Sequence, residues 1–283
     1  MTVQHQAEPD DRALQAQVSG SSFYAAMRIM PKAERAAMFA IYRFCRMVDD
    51  IADDGTRARP QRATELDGWR TDLKALYDGQ PAARAAFLDQ AVRAFGLRQV
   101  DFMAVIDGMA MDVADDIRAP DLATLDLYCD RVACAVGRLS TRVFGMEEKP
   151  GVELARELGR ALQLTNILRD LDEDAEIGRL YLPGELLRQA GITTTDPNAA
   201  IADPRVDGAC RALAQRALEY FAAADRLMRS KPRGRLLAPK VMETVYRTIL
   251  RDMLVQGWTP PRHRVRIGKR RLLWIVVRCA LLG

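Results

Sequence analysis

A chain of 283 residues and 31.6 kDa, 49% hydrophobic and 28% charged, has globular composition, which excludes a disordered or collagen-like protein and supports one sizeable core. Its 42 basic and 38 acidic residues leave a net charge of +4, too balanced for a protein that coats nucleic acid, so no nucleic-acid partner is expected. Two histidines give little material for histidine-based metal sites or triads, and five cysteines without a CxxC pair suit a reducing compartment. With no leader pattern and no apolar run near the roughly 18 residues of a membrane span, a soluble cytoplasmic protein is expected.

Residues 1–18 are polar and read as a flexible tail. From there to about residue 271, apolar positions recur at three and four, and Ala, Leu, Arg, Glu and Met dominate. Breaks fall at Pro31, Gly55 to Pro60, Gly79 to Pro81, Gly96, Pro120, Gly145 to Gly151, Pro183, Gly191 to Pro204, Pro232 to Gly234 and Gly257 to Pro261. They separate about eight to ten helical segments. The sequence carries neither an internal repeat nor a Gly-rich phosphate loop, so a single all-α domain over residues 19–271 is predicted.

The first segment of chemical interest, Lys32 to Asp54, ends in four aspartates. At 100° per residue, Met38, Ile41, Cys45, Val48 and Ala52 form an apolar arc with Phe44 at its edge. Tyr42, Arg46, Asp49 and Asp53 run beside that arc, while Asp50 and Asp54 turn toward solvent. A solvated helix end would explain the aspartates. Yet negative charge opposes the helix dipole at a C-terminus, so a compensating cation is needed. The second segment, Leu154 to Asp174, sets Gln163, Asn166, Asp170 and Asp174 on one face, with Asp172 opposite. That stripe carries amide and carboxylate oxygens and no base. Hard oxygen donors on two helices suit Mg²⁺, which takes one or two carboxylates and completes its shell with water and phosphate. Two such stripes form a plausible clamp for a diphosphate.

The strings SSFYAAMRIMPKAERAAMFAIYRFCRMVDDIADD, YCDRVACAVGRLSTRVFG (Tyr128 to Gly145) and LGRALQLTNILRDLDEDAEIGRLYLP (Leu158 to Pro183) together resemble the squalene/phytoene synthases, which condense isoprenoid diphosphates head to head. The resemblance implies an isoprenoid-synthase helical bundle with a central cavity. It places Asp49, Asp53, Asn166, Asp170 and Asp174 at metal-binding positions. Tyr42, Arg46, Tyr128 and Arg169 take catalytic positions by the same matching, and Phe23, Gln163, Arg179, Tyr181, Tyr246 and Arg264 take substrate-binding ones. Within the family, the wording from Ile106 to Ser140 is similar to members that join two farnesyl diphosphates and stop at presqualene diphosphate. That implies a prenyltransferase using Mg²⁺ without NADPH, feeding downstream squalene-pathway enzymes. Phytoene, dehydrosqualene or full squalene synthesis is the alternative. Arginines would bind phosphate oxygens, and Phe23, Tyr42, Tyr128 and Tyr246 would face the carbocation; for each aromatic, core packing explains the residue equally well. The GRLYLP loop (Gly178 to Pro183) reads both as a cover and as a helix-ending turn.

At the C-terminus, seven basic residues flank or interrupt the short apolar segment within residues 272–283. A last helix docked on the core and a peripheral contact with the inner membrane face both fit this pattern.

Overall fold

The computed structural model describes Met27 and residues 30–282; the predicted tail over residues 1–18 and the candidate Phe23 lie outside that range. The described residues form thirteen α-helices: α1 (Lys32–Ala52), α2 (Arg59–Tyr77), α3 (Asp89–Phe95), α4 (Gln99–Ala114), α5 (Leu122–Cys129), α6 (Ala135–Val143), α7 (Glu148–Arg169), α8 (Leu171–Glu176), α9 (Gly184–Gln189), α10 (Pro197–Ala202), α11 (Val206–Arg229), α12 (Leu237–Gln256) and α13 (Lys269–Leu282). Among them the sole β-type pairing is an isolated parallel bridge between Arg118 and Leu180.

Local chemistry sets most boundaries. Pro31 precedes α1, and Pro60 occupies the first turn of α2, where its missing N–H costs nothing. Asp121 and Asp196 cap α5 and α10 by accepting from the backbone N–H of Thr124 (2.6 Å) and Ala199 (2.8 Å). Gly96 ends α3 at φ 60°, a conformation open to glycine. The helix count exceeds the expectation because α8, α9 and α10 are only six residues each, inside a stretch where Gly and Pro obscure the periodicity.

Helix α7 runs through the middle, packed by α11, α6 and α12. Between α5 and α6 the chain takes one π-helical turn, Asp130–Cys134, which the sequence pattern did not reveal. Glycines accommodate it from two sides. A Cβ on Gly108 would lie 2.5 Å from Val132, and one on Gly159 would lie 2.9 Å from the Cys134 backbone.

The core is anchored by an aromatic knot. Phe44 meets Trp69 and Phe102 edge-on at centroid distances of 5.5 and 5.1 Å, each pair worth about 0.5–1.5 kcal/mol beyond burial. Phe44 is thus at the centre of the buried face of α1, not at its edge, because α2 and α4 both cover that side. Helix α13 docks on α12 through Ile275, with Leu272, Val276 and Cys279 partly covered. Leu273, Trp274, Val277 and Leu281 face outward.

Candidate active site

A cavity of about 470 Å³ lies between α1, the π-turn, α6, α7 and α12. Its two ends differ in character. At one end stand Tyr42 and Arg46 from α1, Gln163, Asn166 and Arg169 from α7, and Tyr246 from α12. At the other stand Met30, Met38, Phe144, Leu154, Ala238 and Met242. Six of the predicted residues are therefore brought to one polar end of an apolar chamber.

The acidic groups gather just beyond that end. Arg46 bridges Asp49 and Asp50 of its own helix, each at 2.7 Å. Arg169 grips Asp170 with two bonds of 2.8 and 2.6 Å, and Arg264 adds contacts of 2.9 and 2.7 Å to the same carboxylate. Asp49, its side chain 36% exposed, is pushed up to about 6 by burial and then by the charge of Asp53, with Arg46 opposing. Asp174 is pushed up to about 7 by burial and then by Asp170, against Arg179. Asp112 adds its repulsion to both, so the two stripes belong to one electrostatic neighbourhood. The Asn166 amide oxygen is buried there without a hydrogen-bond partner. The site is rich in acceptor oxygen and short of positive charge.

Asp112 is the residue that sequence reasoning missed. It is 3% exposed and accepts from the hydroxyls of Tyr181 (2.7 Å) and Tyr128 (3.1 Å), whose rings stack at 5.0 Å. Burial raises its carboxyl, while Arg179 and the two hydroxyls pull the other way. Arg179 donates to Asp53 at 2.6 Å and to the Ala52 carbonyl at 3.1 Å. This is the cation that the C-terminus of α1 requires, and Arg62 joins it on the same carbonyl at 2.7 Å.

Several expectations change in consequence. Tyr128, Tyr181 and Arg179 stand in the acidic cluster, the two hydroxyls on Asp112 and the guanidinium on Asp53. The GRLYLP segment is no open cover. Leu180, Tyr181 and Leu182 are buried, and Leu180 exchanges backbone bonds of 2.8 Å with Ile117 and Ala119. Its other reading stands: Gly178 turns at φ 82°, and Pro183 caps α9. Asp170 interrupts the second helix, with φ −105° and ψ 21°, so Asp174 sits on α8 rather than on a continuation of α7. Asp54 is tucked into a turn against Thr56 and Arg57, whereas Asp53 is the more exposed, because α1 stops at Ala52 and the helical register ends with it. Asp172 does point away, to Arg262 at 2.6 Å.

Among the described residues no three His, Cys, Asp or Glu side chains stand close enough to enclose an ion by themselves. Residues 16–271 match the squalene/phytoene synthase family. The chain is 55% identical over 282 residues to a presqualene diphosphate synthase of Rhodopseudomonas palustris, covering 100% of both. It is 58% identical over 267 residues to a presqualene diphosphate synthase of Zymomonas mobilis subsp. mobilis, covering 93% of this chain and 91% of that one. Among solved structures, a dehydrosqualene synthase in complex with ligand superposes with a TM-score of 0.80 at 24% identity, covering 96% of each chain.

Proposed function

Because this chain belongs to the squalene/phytoene synthase family, we infer that it joins two farnesyl diphosphates head to head into presqualene diphosphate. The observation that carries this reading is the polarity of the cavity: basic and amide groups at one end beside a set of carboxylates, with apolar walls at the other. Such a chamber takes a diphosphate headgroup at its mouth and a prenyl chain in its depth.

Mg²⁺ fits the donor set, which consists of hard oxygens, includes a buried unpartnered amide oxygen and leaves carboxylates repelling one another. Asp49, Asp53, Asn166, Asp170 and Asp174 would hold it, together with water and substrate phosphate. Bound there, the metal supplies Lewis-acid neutralisation of the departing diphosphate. The chain's own residues do the rest. Arg46, Arg169 and Arg264 present guanidinium forks that exchange carboxylate for phosphate oxygens as the allylic C–O bond breaks. Tyr42 and Tyr246 offer electron-rich faces to the carbocation. The apolar walls exclude water, which keeps the cation from being quenched before the double bond of the second farnesyl chain captures it. Loss of a proton from that second chain to the released diphosphate then closes the cyclopropane. NADPH has no part in this step.

The test is incubation of the purified chain with farnesyl diphosphate and Mg²⁺, with and without NADPH, followed by product mass. Presqualene diphosphate in both arms is expected. A C40 product made in preference from geranylgeranyl diphosphate, or a turnover that needs NADPH, overturns the reading.

No helix among the described residues is long and apolar enough to cross a membrane. Peripheral contact is a separate matter. The outward face of α13 carries Leu273, Trp274, Val277 and Leu281, and residues 265–283 contain five Lys/Arg and no acidic group. That combination matches an anionic bilayer surface. Flotation with phosphatidylglycerol vesicles is expected to depend on residues 272–283; binding unchanged by their removal refutes the contact.

A further inference from the structure

Helix α7 stops at Arg169 and α8 starts at Leu171, with Asp170 in the break between them. Two of the residues assigned to the metal, Asp170 and Asp174, therefore owe their relative placement to that break rather than to helical spacing. A helix end leaves its last carbonyls without partners on the same helix, and a buried one must be supplied from elsewhere. Here the Leu168 carbonyl accepts from the indole Nε1–H of Trp258 at 2.7 Å, a donor 90 residues away and 2% exposed. In an unbroken helix the same carbonyl would accept from the Asp172 N–H. We propose that Trp258 is a positioning residue whose indole holds the break at Asp170 and so sets the geometry in which Asp170 and Asp174 meet the metal, an inference resting on the metal assignment made above.

The indole is itself held in place along the chain. The backbone leaves α12 through Gly257 at φ 77°, where a Cβ would stand 3.1 Å from the Asp207 carboxylate. The Trp258 N–H then donates to that carboxylate at 2.7 Å, and Arg211 steadies it with a further bond of 2.7 Å. Four residues on, Arg262 donates back to the Trp258 carbonyl at 2.8 Å, to the Ile201 carbonyl at 3.0 Å and to Asp172 at 2.6 Å. One segment thus ties α10 and α11 to the first turn of α8. Packing alone would be served by any large apolar ring. The indole differs by its single donor, which is aimed at the carbonyl two residues before Asp170.

The experiment reads metal binding rather than turnover. The full chain, freed of metal and saturated with farnesyl thiolodiphosphate, whose C–S bond resists ionisation, is titrated with Mn²⁺. This ion shares the preference for hard oxygen, and its free-ion spin-resonance signal disappears on binding. Trp258→Phe keeps a buried ring and removes the donor. Its Mn²⁺ dissociation constant is expected to rise about three- to tenfold, less than the about 10–100-fold lost with a partner that bonds a metal ligand directly. Tyr77→Phe is the matched control, since it also takes an aromatic donor from a backbone carbonyl, that of Leu97 at 2.6 Å. Its Mn²⁺ affinity is expected to equal that of wild type at a comparable loss of melting temperature. A folded Trp258→Phe that binds Mn²⁺ as wild type does, or a control that weakens binding equally, overturns the positioning role. Should Trp258→Phe fail to fold, Arg262→Gln loosens the same segment and is expected to weaken Mn²⁺ binding in the same direction; unchanged affinity there also overturns the role. A wild type that binds the analogue but no Mn²⁺ removes the metal assignment and this role with it, while one that binds neither removes the functional reading as well.

Discussion

Asp170 has both carboxylate oxygens engaged, by Arg169 on its own strand of chain and by Arg264 from 94 residues away. Two cations on one carboxylate are a poised arrangement, since either guanidinium can pass to an incoming phosphate while the other stays on the aspartate. Asp49→Asn and Asp170→Asn each remove charge without volume, and turnover is expected to fall by about 10²–10³ or more at saturating Mg²⁺ while circular dichroism stays native. Near-wild-type turnover in either variant rejects the metal assignment. Asp112 belongs to a different class of residue. Asp112→Ala strands two buried tyrosine hydroxyls and removes a countercharge near Arg179, so a loss of about 3 kcal/mol in urea unfolding is expected, with Tyr181→Phe costing about half as much. The sequence exposes Asp49 and Asp170 because helical spacing places each beside an apolar face. It hides Asp112, which is one of several acidic residues between Asp101 and Asp116 and is distinguished only by what packs against it. Tyr128 and Tyr181 were identifiable by their motifs, but their task of holding Asp112 depends on a 53-residue separation that no local pattern encodes.

At the scale of the element, the π-turn does what an ordinary α-helix from Leu122 to Val143 could not. Val132 and Ala133 of the turn line the cavity together with Val136 and Gly137 just beyond it, and the backbone of Cys134 rests against Gly159. Gly159→Ala drives a methyl into backbone that cannot yield, and overpacking of this kind costs about 1–3 kcal/mol. A melting temperature lower by several degrees is expected. Gly68→Ala is the control: its new methyl meets only the guanidinium end of Arg84, which can rotate away, and little change is expected. Equal losses in the two variants contradict the tight fit at the turn. The long helices were legible because twenty or so residues of periodic pattern outweigh local exceptions. The π-turn was not, since one extra residue per turn leaves composition unchanged. Helix α13 was half legible. Its apolar block is visible in the sequence, yet only the docking on α12 divides Ile275 and Cys279 from Trp274 and Leu281.

For the whole molecule, the balance of charge at the cavity mouth makes stability depend on pH and on metal together. Asp49 and Asp174 have folded-state values raised to about 6 and about 7, above the ordinary carboxylate value. Their contribution to stability is fully present below the unfolded value and is lost as pH rises through about 6 to 7. Carboxylates held low by hydrogen bonds, such as Asp203 at about 2, are ionised well before that window and add no slope within it. The metal-free protein is therefore expected to melt at progressively lower temperature between pH 5 and 8. Addition of Mg²⁺ is expected to raise the melting temperature more at pH 8 than at pH 5, because binding needs the ionised carboxylates. A metal-free melting temperature that climbs over this interval in scanning calorimetry contradicts the raised values. The overall bundle follows from composition and periodicity alone. The meeting of the two acidic stripes does not, because it rests on contacts between residues about a hundred or more positions apart, such as Asp53 with Arg179.

One of the long-range contacts at the site has a consequence in time. Asp53 and Arg179 are separated by 126 residues, whereas Phe44, Trp69 and Phe102 lie within a far shorter stretch near the start. Closing the larger loop carries the greater entropic penalty, and on the ribosome its second half emerges much later. A nascent chain halted before Arg179 can already knit its aromatic centre, while its aspartate-bearing helix end still lacks the arginine that steadies it.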